Sequence, residues 1–116
     1  MSPPKRRKVK YAKAYGYLLD PVVINKQAIE DGTAIEGQFG QTFATYANRL
    51  AEHCGIKYND IINIRNPKPH MPPVYCVVAA TNLSEQSKIP RMDIINKAKE
   101  FLGTAEEPKW YFIVKD

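Results

Sequence analysis

The 116-residue chain carries 17 Lys and Arg against 12 Asp and Glu, a net charge of +5, and is 44% hydrophobic and 25% charged. That balance suits one ordinary globular domain and argues against bulk disorder. No apolar run nears the roughly 20 residues that cross a bilayer, and Lys, Gly, Asp and Pro interrupt YAKAYGYLLDPVVIN before a secretory core forms.

The positive charge is concentrated at the start. Lys5, Arg6, Arg7, Lys8, Lys10 and Lys13 fall in the first 13 residues, which hold no acid. Setting those six aside leaves 11 basic residues against the same 12 acids, a net of −1. Cations gathered on a leader in front of a neutral body point to an address or a tether rather than to a basic binding domain. Pro3 and Pro4 oppose regular structure and like charges repel, so residues 1–13 are expected to form a flexible arm ahead of one domain over residues 14–116.

From Tyr11 to Leu19, Tyr11, Tyr15, Tyr17 and Leu19 share one parity, which predicts a half-buried strand. Asp20-Pro21 interrupts it. Val22 to Ile24 is read as a short strand continuation, and residues 25–37, with Asp31-Gly32 and Gly37, as an irregular segment or a short helical turn around Lys26 to Ile29. Phe39, Phe43, Tyr46, Leu50 and Cys54 then recur at three- and four-residue spacing, predicting a helix closed by Gly55.

Asp60 to Arg65 reads as a strand, and the proline-rich 66–73 as an extended loop. Val74 to Ala80 (VYCVVAA) reads as a central strand. A second helix follows, with Pro90 in its first turn, an apolar stripe through Met92, Ile95, Ala98 and Leu102, and Gly103 as its cap. KWYFIVKD supplies the last strand.

The order is β-α-β-β-α-β, the pattern of a ferredoxin-like fold: a four-stranded antiparallel sheet with two helices on one face. The other face then needs solvent, a ligand, residues 20–37 or a second copy of the chain. Strands as apolar as VYCVVAA and WYFIV suit water poorly, so a homodimer or a self-cover is expected.

Pro-Lys-Arg-Arg-Lys-Val, at residues 4–9, resembles the single-cluster nuclear import signals of eukaryotic and viral proteins. The resemblance implies a nuclear import receptor as partner, with Lys5, Arg6, Arg7 and Lys8 in its acidic grooves, Lys10 and Lys13 in support, and residence in the nucleus rather than the cytoplasm. It covers only the arm. The lysines also interleave with Tyr11, Tyr15 and Tyr17, the mixture of cations and rings that binds single-stranded nucleic acid. The RNA-recognition aromatic motif is missing, however, and tyrosines packing a sheet face, in front of a neutral body, explain the rings better.

Catalytic and metal signatures are thin. His53 adjoins Glu52 and Cys54 near a helix end, where successive side chains diverge. His70 lies in the proline-rich loop, and Cys76 in an apolar strand that disfavours a thiolate. Cys54 and Cys76 lack metal or redox spacing and read as buried thiols. No catalytic residue, metal ligand or cofactor motif is assigned. The sequence therefore favours a binding module that contacts protein or nucleic acid. The competing expectation is a small dimeric enzyme or small-molecule binder with a pocket lined by Tyr15, Tyr17, His53, His70 and Tyr75.

Overall fold

The computed structural model describes residues 12–34 and 37–114. Their elements are β1 (Lys13–Leu19), α1 (Pro21–Glu30), α2 (Phe39–Cys54), a 3-10 turn (Tyr58–Asp60), β2 (Ile61–Ile64), β3 (Val74–Thr81), α3 (Met92–Leu102) and β4 (Lys109–Phe112). The protein is α+β, and the described residues form three α-helices and a four-stranded sheet in the order β2-β3-β1-β4, all neighbours antiparallel.

The helix α1 corrects the expected strand continuation at Val22 to Ile24 and extends the helical turn expected around Lys26 to Ile29 over Pro21–Glu30. Asp20 is a start signal rather than a mere interruption: its carboxylate accepts from the Val22 N–H at 2.9 Å, and Pro21 takes the first turn, where no N–H is needed. The helix buries none of its residues fully, and it packs on α2. Weak amphipathicity hid it, because Val22 and Val23 stay exposed. Expected ends also move slightly. Pro90 stands ahead of the Arg91 cap, outside α3, and Lys13 belongs to β1 instead of the arm.

The expected caps of α2 and α3 are glycines in the left-handed region, Gly55 at φ 70° and Gly103 at φ 65°. Past Gly55, the Ile56 N–H reaches back to the Ala51 carbonyl at 2.9 Å, satisfying an end that water would otherwise take.

Strand parity sorts the apolar side chains into two clusters. Tyr17, Leu19, Ile61, Val77 and Ala79 join Phe43, Leu50 and Cys54 of α2 and Ile94, Ile95 and Ala98 of α3. Ala14, Ile64, Val74 and Cys76, on the opposite face, form a second cluster flanked by Leu18, Ile62, Val78, Tyr111 and Ile113. Ile64 and Cys76 there are fully buried.

The sheet itself supplies much of that second cover. The ladder slips between Tyr15 and Gly16, a bulge that strengthens local twist. Diagonally opposite corners then meet. Ile64 bridges Ile113, the Arg65 N–H donates to the Phe112 carbonyl at 2.8 Å, and the Val114 N–H donates to the Asn63 carbonyl at 3.3 Å. The chain after β4 thus spans from β1, through Ile113 N–H to Ala12 O at 2.9 Å, to the edge of β2. Helix α1 does not provide the cover: its Ile24 packs with the first cluster instead.

Gly16 permits this coiling. A Cβ at that position would overlap the Val77 carbonyl oxygen and lie 2.9 Å from its carbon and 3.0 Å from Cys76 Sγ. Only hydrogen fits where β1 crosses β3 so closely.

Candidate binding surface

The five polar residues expected to line a pocket are dispersed. Tyr17 is buried in the first cluster, and its hydroxyl donates to the Glu106 carbonyl at 2.7 Å. Burial raises its pKa above the ordinary phenol value. Tyr75 packs its ring on Phe43, centroids 4.8 Å apart. Tyr15 lies cross-strand from Trp110, 5.1 Å between centroids and tilted by 39°.

His53 ends α2 with Nε2 3.7 Å from Glu100 Oε1 and its ring 5.7 Å from that of Phe101. His70 sits far along the chain in the exposed proline-rich loop, at φ 65°. Tyr15, Tyr17 and Tyr75 are occupied in packing, and neither histidine joins them at a common cavity. A cleft of about 360 Å³ does open beside the second cluster, walled by Ile62, Val78 and Ile113 together with the polar Asp60, Ser87 and Arg91. None of the five lines it.

The thiols are chemically quiet. Burial pushes the Cys76 pKa up to about 12, so the sulfur is protonated at neutral pH and is no nucleophile. Cys54 shifts the same way, mainly through burial and secondarily through the nearby Asp93 charge. Among the described residues, no group of three or more His, Cys, Asp or Glu is placed to hold a metal ion. No helix among them is long and apolar enough to cross a membrane.

Of the basic residues, Lys5, Arg6, Arg7, Lys8 and Lys10 lie outside the described residues. Lys13 is the point where the charged leader enters the sheet. Its N–H donates to Asn82 Oδ1 at 2.7 Å, and its carbonyl accepts from the Asn82 N–H at 3.2 Å. Its Nζ lies 4.9 Å from the centroid of the Phe112 ring, the cation-π arrangement of an ammonium over an aromatic face.

Lys13 faces two residues that the sequence did not single out. Trp110 and Phe112 pair with Tyr15 and Lys13 on the adjacent strand, and they remain 44% and 43% exposed. The alternation K-W-Y-F placed both rings on one face of the pleat, but WYFIV read as a continuous buried run. Beside them, Glu107 is held by Lys99, Nζ to Oε1 at 2.9 Å, and that bond to Glu107 raises the lysine pKa. No protein-family model, no curated protein and no solved structure matches this chain.

Proposed function

We propose that this chain is a non-catalytic nuclear binding module. Its basic arm would engage a nuclear import receptor through Lys5, Arg6, Arg7 and Lys8, while the domain beginning at β1 contacts protein or nucleic acid. The dispersal of Tyr15, Tyr17, Tyr75, His53 and His70 carries this reading, because general acid-base or nucleophilic chemistry requires such groups to converge on one reacting atom. The competing pocket enzyme needs that convergence, and its tyrosines and histidines stand away from the cleft, whose polar wall is made by other residues, Asp60, Ser87 and Arg91 among them.

The domain is read as ferredoxin-like, with α1 as an addition. The antiparallel order β2-β3-β1-β4 and the shared cluster of α2 and α3 support that assignment. The fold by itself assigns no activity. A homodimer through the second face has less support than the sequence suggested, since residues 113–114 already span part of it.

The test changes Lys5, Arg6, Arg7 and Lys8 together to alanine in a fluorescently tagged full chain. The expected result is a shift from nucleus to cytoplasm. An unchanged distribution refutes the targeting role.

A further inference from the structure

Beyond the nuclear binding role, we propose that the cleft at the end of β3 is a binding site for a small uncharged molecule, aliphatic along its length with a hydroxyl or amide head. Strand β2 begins at Ile61, opposite Val77, whereas β3 runs on to Thr81. Among the described residues, no strand continues the ladder beside residues 78–81 on that edge. The 3-10 turn before β2 and the loop over residues 82–91 both contribute walls to the cleft that forms there. Its volume of about 360 Å³ falls at the lower end of the roughly 300–1,000 Å³ typical of small-molecule sites.

The walls are fixed before a ligand arrives. The Thr81 N–H donates to the Ser87 carbonyl at 2.8 Å and the Arg91 N–H to the Ala79 carbonyl at 2.9 Å, so the loop takes backbone groups on the β3 edge. Ser87 Oγ lies 2.8 Å from Thr81 Oγ1 and accepts from the Ser84 N–H at 3.0 Å. A peptide strand would find that edge occupied, and recognition falls to side chains. Ile62, Val78 and Ile113 flank the second cluster and Ile94 is buried in the first, so the aliphatic lining rests on packed elements. Among the described residues, no aromatic ring lines the cleft, which favours an aliphatic ligand over one that stacks. Leu83 and Ile89, also in the lining, remain 56% and 70% exposed, and a ligand seated against them removes that apolar surface from water.

Electrostatics selects the head group. The two charges in the lining, Asp60 and Arg91, are of opposite sign, and each is already engaged. Asp60 Oδ2 accepts from the Lys57 N–H at 3.1 Å, and Arg91 Nη2 donates to Asp93 Oδ2 at 2.8 Å. The side-chain amides of Asn59 and Gln86, which also line the cleft, carry no hydrogen bond among the described residues. Each offers both a donor and an acceptor. An ionised head would shed water without gaining an uncommitted counter-charge, whereas a hydroxyl or amide exchanges its water for these amides.

The full chain is titrated separately with n-octanol, octanoate and octylamine, followed by amide and methyl NMR. Saturable shifts at Ile62, Val78, Leu83, Ile89 and Ile113 are expected with n-octanol, and affinities about tenfold weaker for the two ions. Leu83→Ser and Ile89→Ser change exposed side chains, so the fold persists, which their amide spectra check; each should weaken n-octanol about fivefold. Val22→Ser, an equally exposed position on α1 outside the cleft, should leave the affinity unchanged. Shifts that do not saturate, or that are as large around Val22 and Met71, mean partitioning onto any apolar surface and overturn the site. Unchanged affinity in both lip variants overturns it too, and equal affinities for the three heads overturn the choice of an uncharged ligand. Nuclear targeting is decided separately by the localisation assay.

Discussion

Gly16→Ala should break the sheet where β1 crosses β3. The added methyl would overlap the Val77 carbonyl oxygen, with the carbonyl carbon at 2.9 Å and Cys76 Sγ at 3.0 Å. Relaxed carbon-oxygen approaches between strands run to about 3.3–3.6 Å, so the strands must part by a large fraction of an ångström or more. Neither can retreat, since Val77 is 1% and Cys76 0% exposed and each is locked into a different cluster. Overpacking a closed core costs about 1–3 kcal/mol, and each ladder hydrogen bond weakened by the separation adds about 1 kcal/mol. A loss of about 3 kcal/mol or more follows, a large part of the roughly 5–15 kcal/mol that holds a domain.

Urea unfolding followed by circular dichroism measures it, with a midpoint lowered by about 1–3 M at unchanged slope. Gly55→Ala is the control. That glycine needs φ 70°, yet a Cβ there meets nothing within 4 Å, so only backbone strain of about 1–2 kcal/mol is added. If Gly16→Ala is no more destabilising than Gly55→Ala, the close crossing does not govern the fold.

Two further perturbations act on the core and on α1. Cys76 has its pKa raised from 9.0 to about 12 in the folded chain, so above pH 9 the unfolded state releases a proton that the native state keeps, and stability falls with rising pH. At pH 10 the loss is about 1.4 kcal/mol from this group alone, with Tyr17, Tyr46, Tyr111 and Cys54 pulling the same way. Urea midpoints between pH 8 and 10.5 should fall less steeply for Cys76→Ala than for the wild type; equal slopes would contradict the assignment. Asp20→Ala removes the N-cap of α1, worth about 1 kcal/mol, while Asp20→Asn retains it. Because α1 buries nothing fully, the loss should show as faster hydrogen exchange in residues 24–28 with α2 unaffected. Exchange unchanged by Asp20→Ala would mean that packing on α2, rather than the cap, holds the helix.

Elements whose periodicity was strong were legible in the sequence. The α2 stripe from Phe43 to Cys54, the α3 stripe from Ile94 to Leu102 and their glycine caps follow from local geometry, because a 3.6-residue repeat and a left-handed stop need no knowledge of distant residues. VYCVVAA marked β3 by the same logic. The extent of the weakly amphipathic α1 was missed because its signal lay in Asp20-Pro21, where a helix start and a strand break use the same residues. The confinement of positive charge to the first 13 residues is likewise a property of sequence alone.

Tertiary structure decided what pairs with what. Hydrogen bonding across β1 and β4 sets Trp110 beside Tyr15 and Phe112 beside Lys13, residues separated by about 95 and 99 positions, and no local pattern encodes that register. The same holds for Gly16, a small residue in an alternating strand until the Val77 carbonyl is placed against it. The dispersal of the tyrosines and histidines was also invisible, since side chains of suitable chemistry reveal nothing of their separation until the sheet coils and its diagonal corners meet at Ile64 and Ile113. Residue type and period are written along the chain; proximity between distant strands arises only when burial and backbone hydrogen bonding are satisfied together.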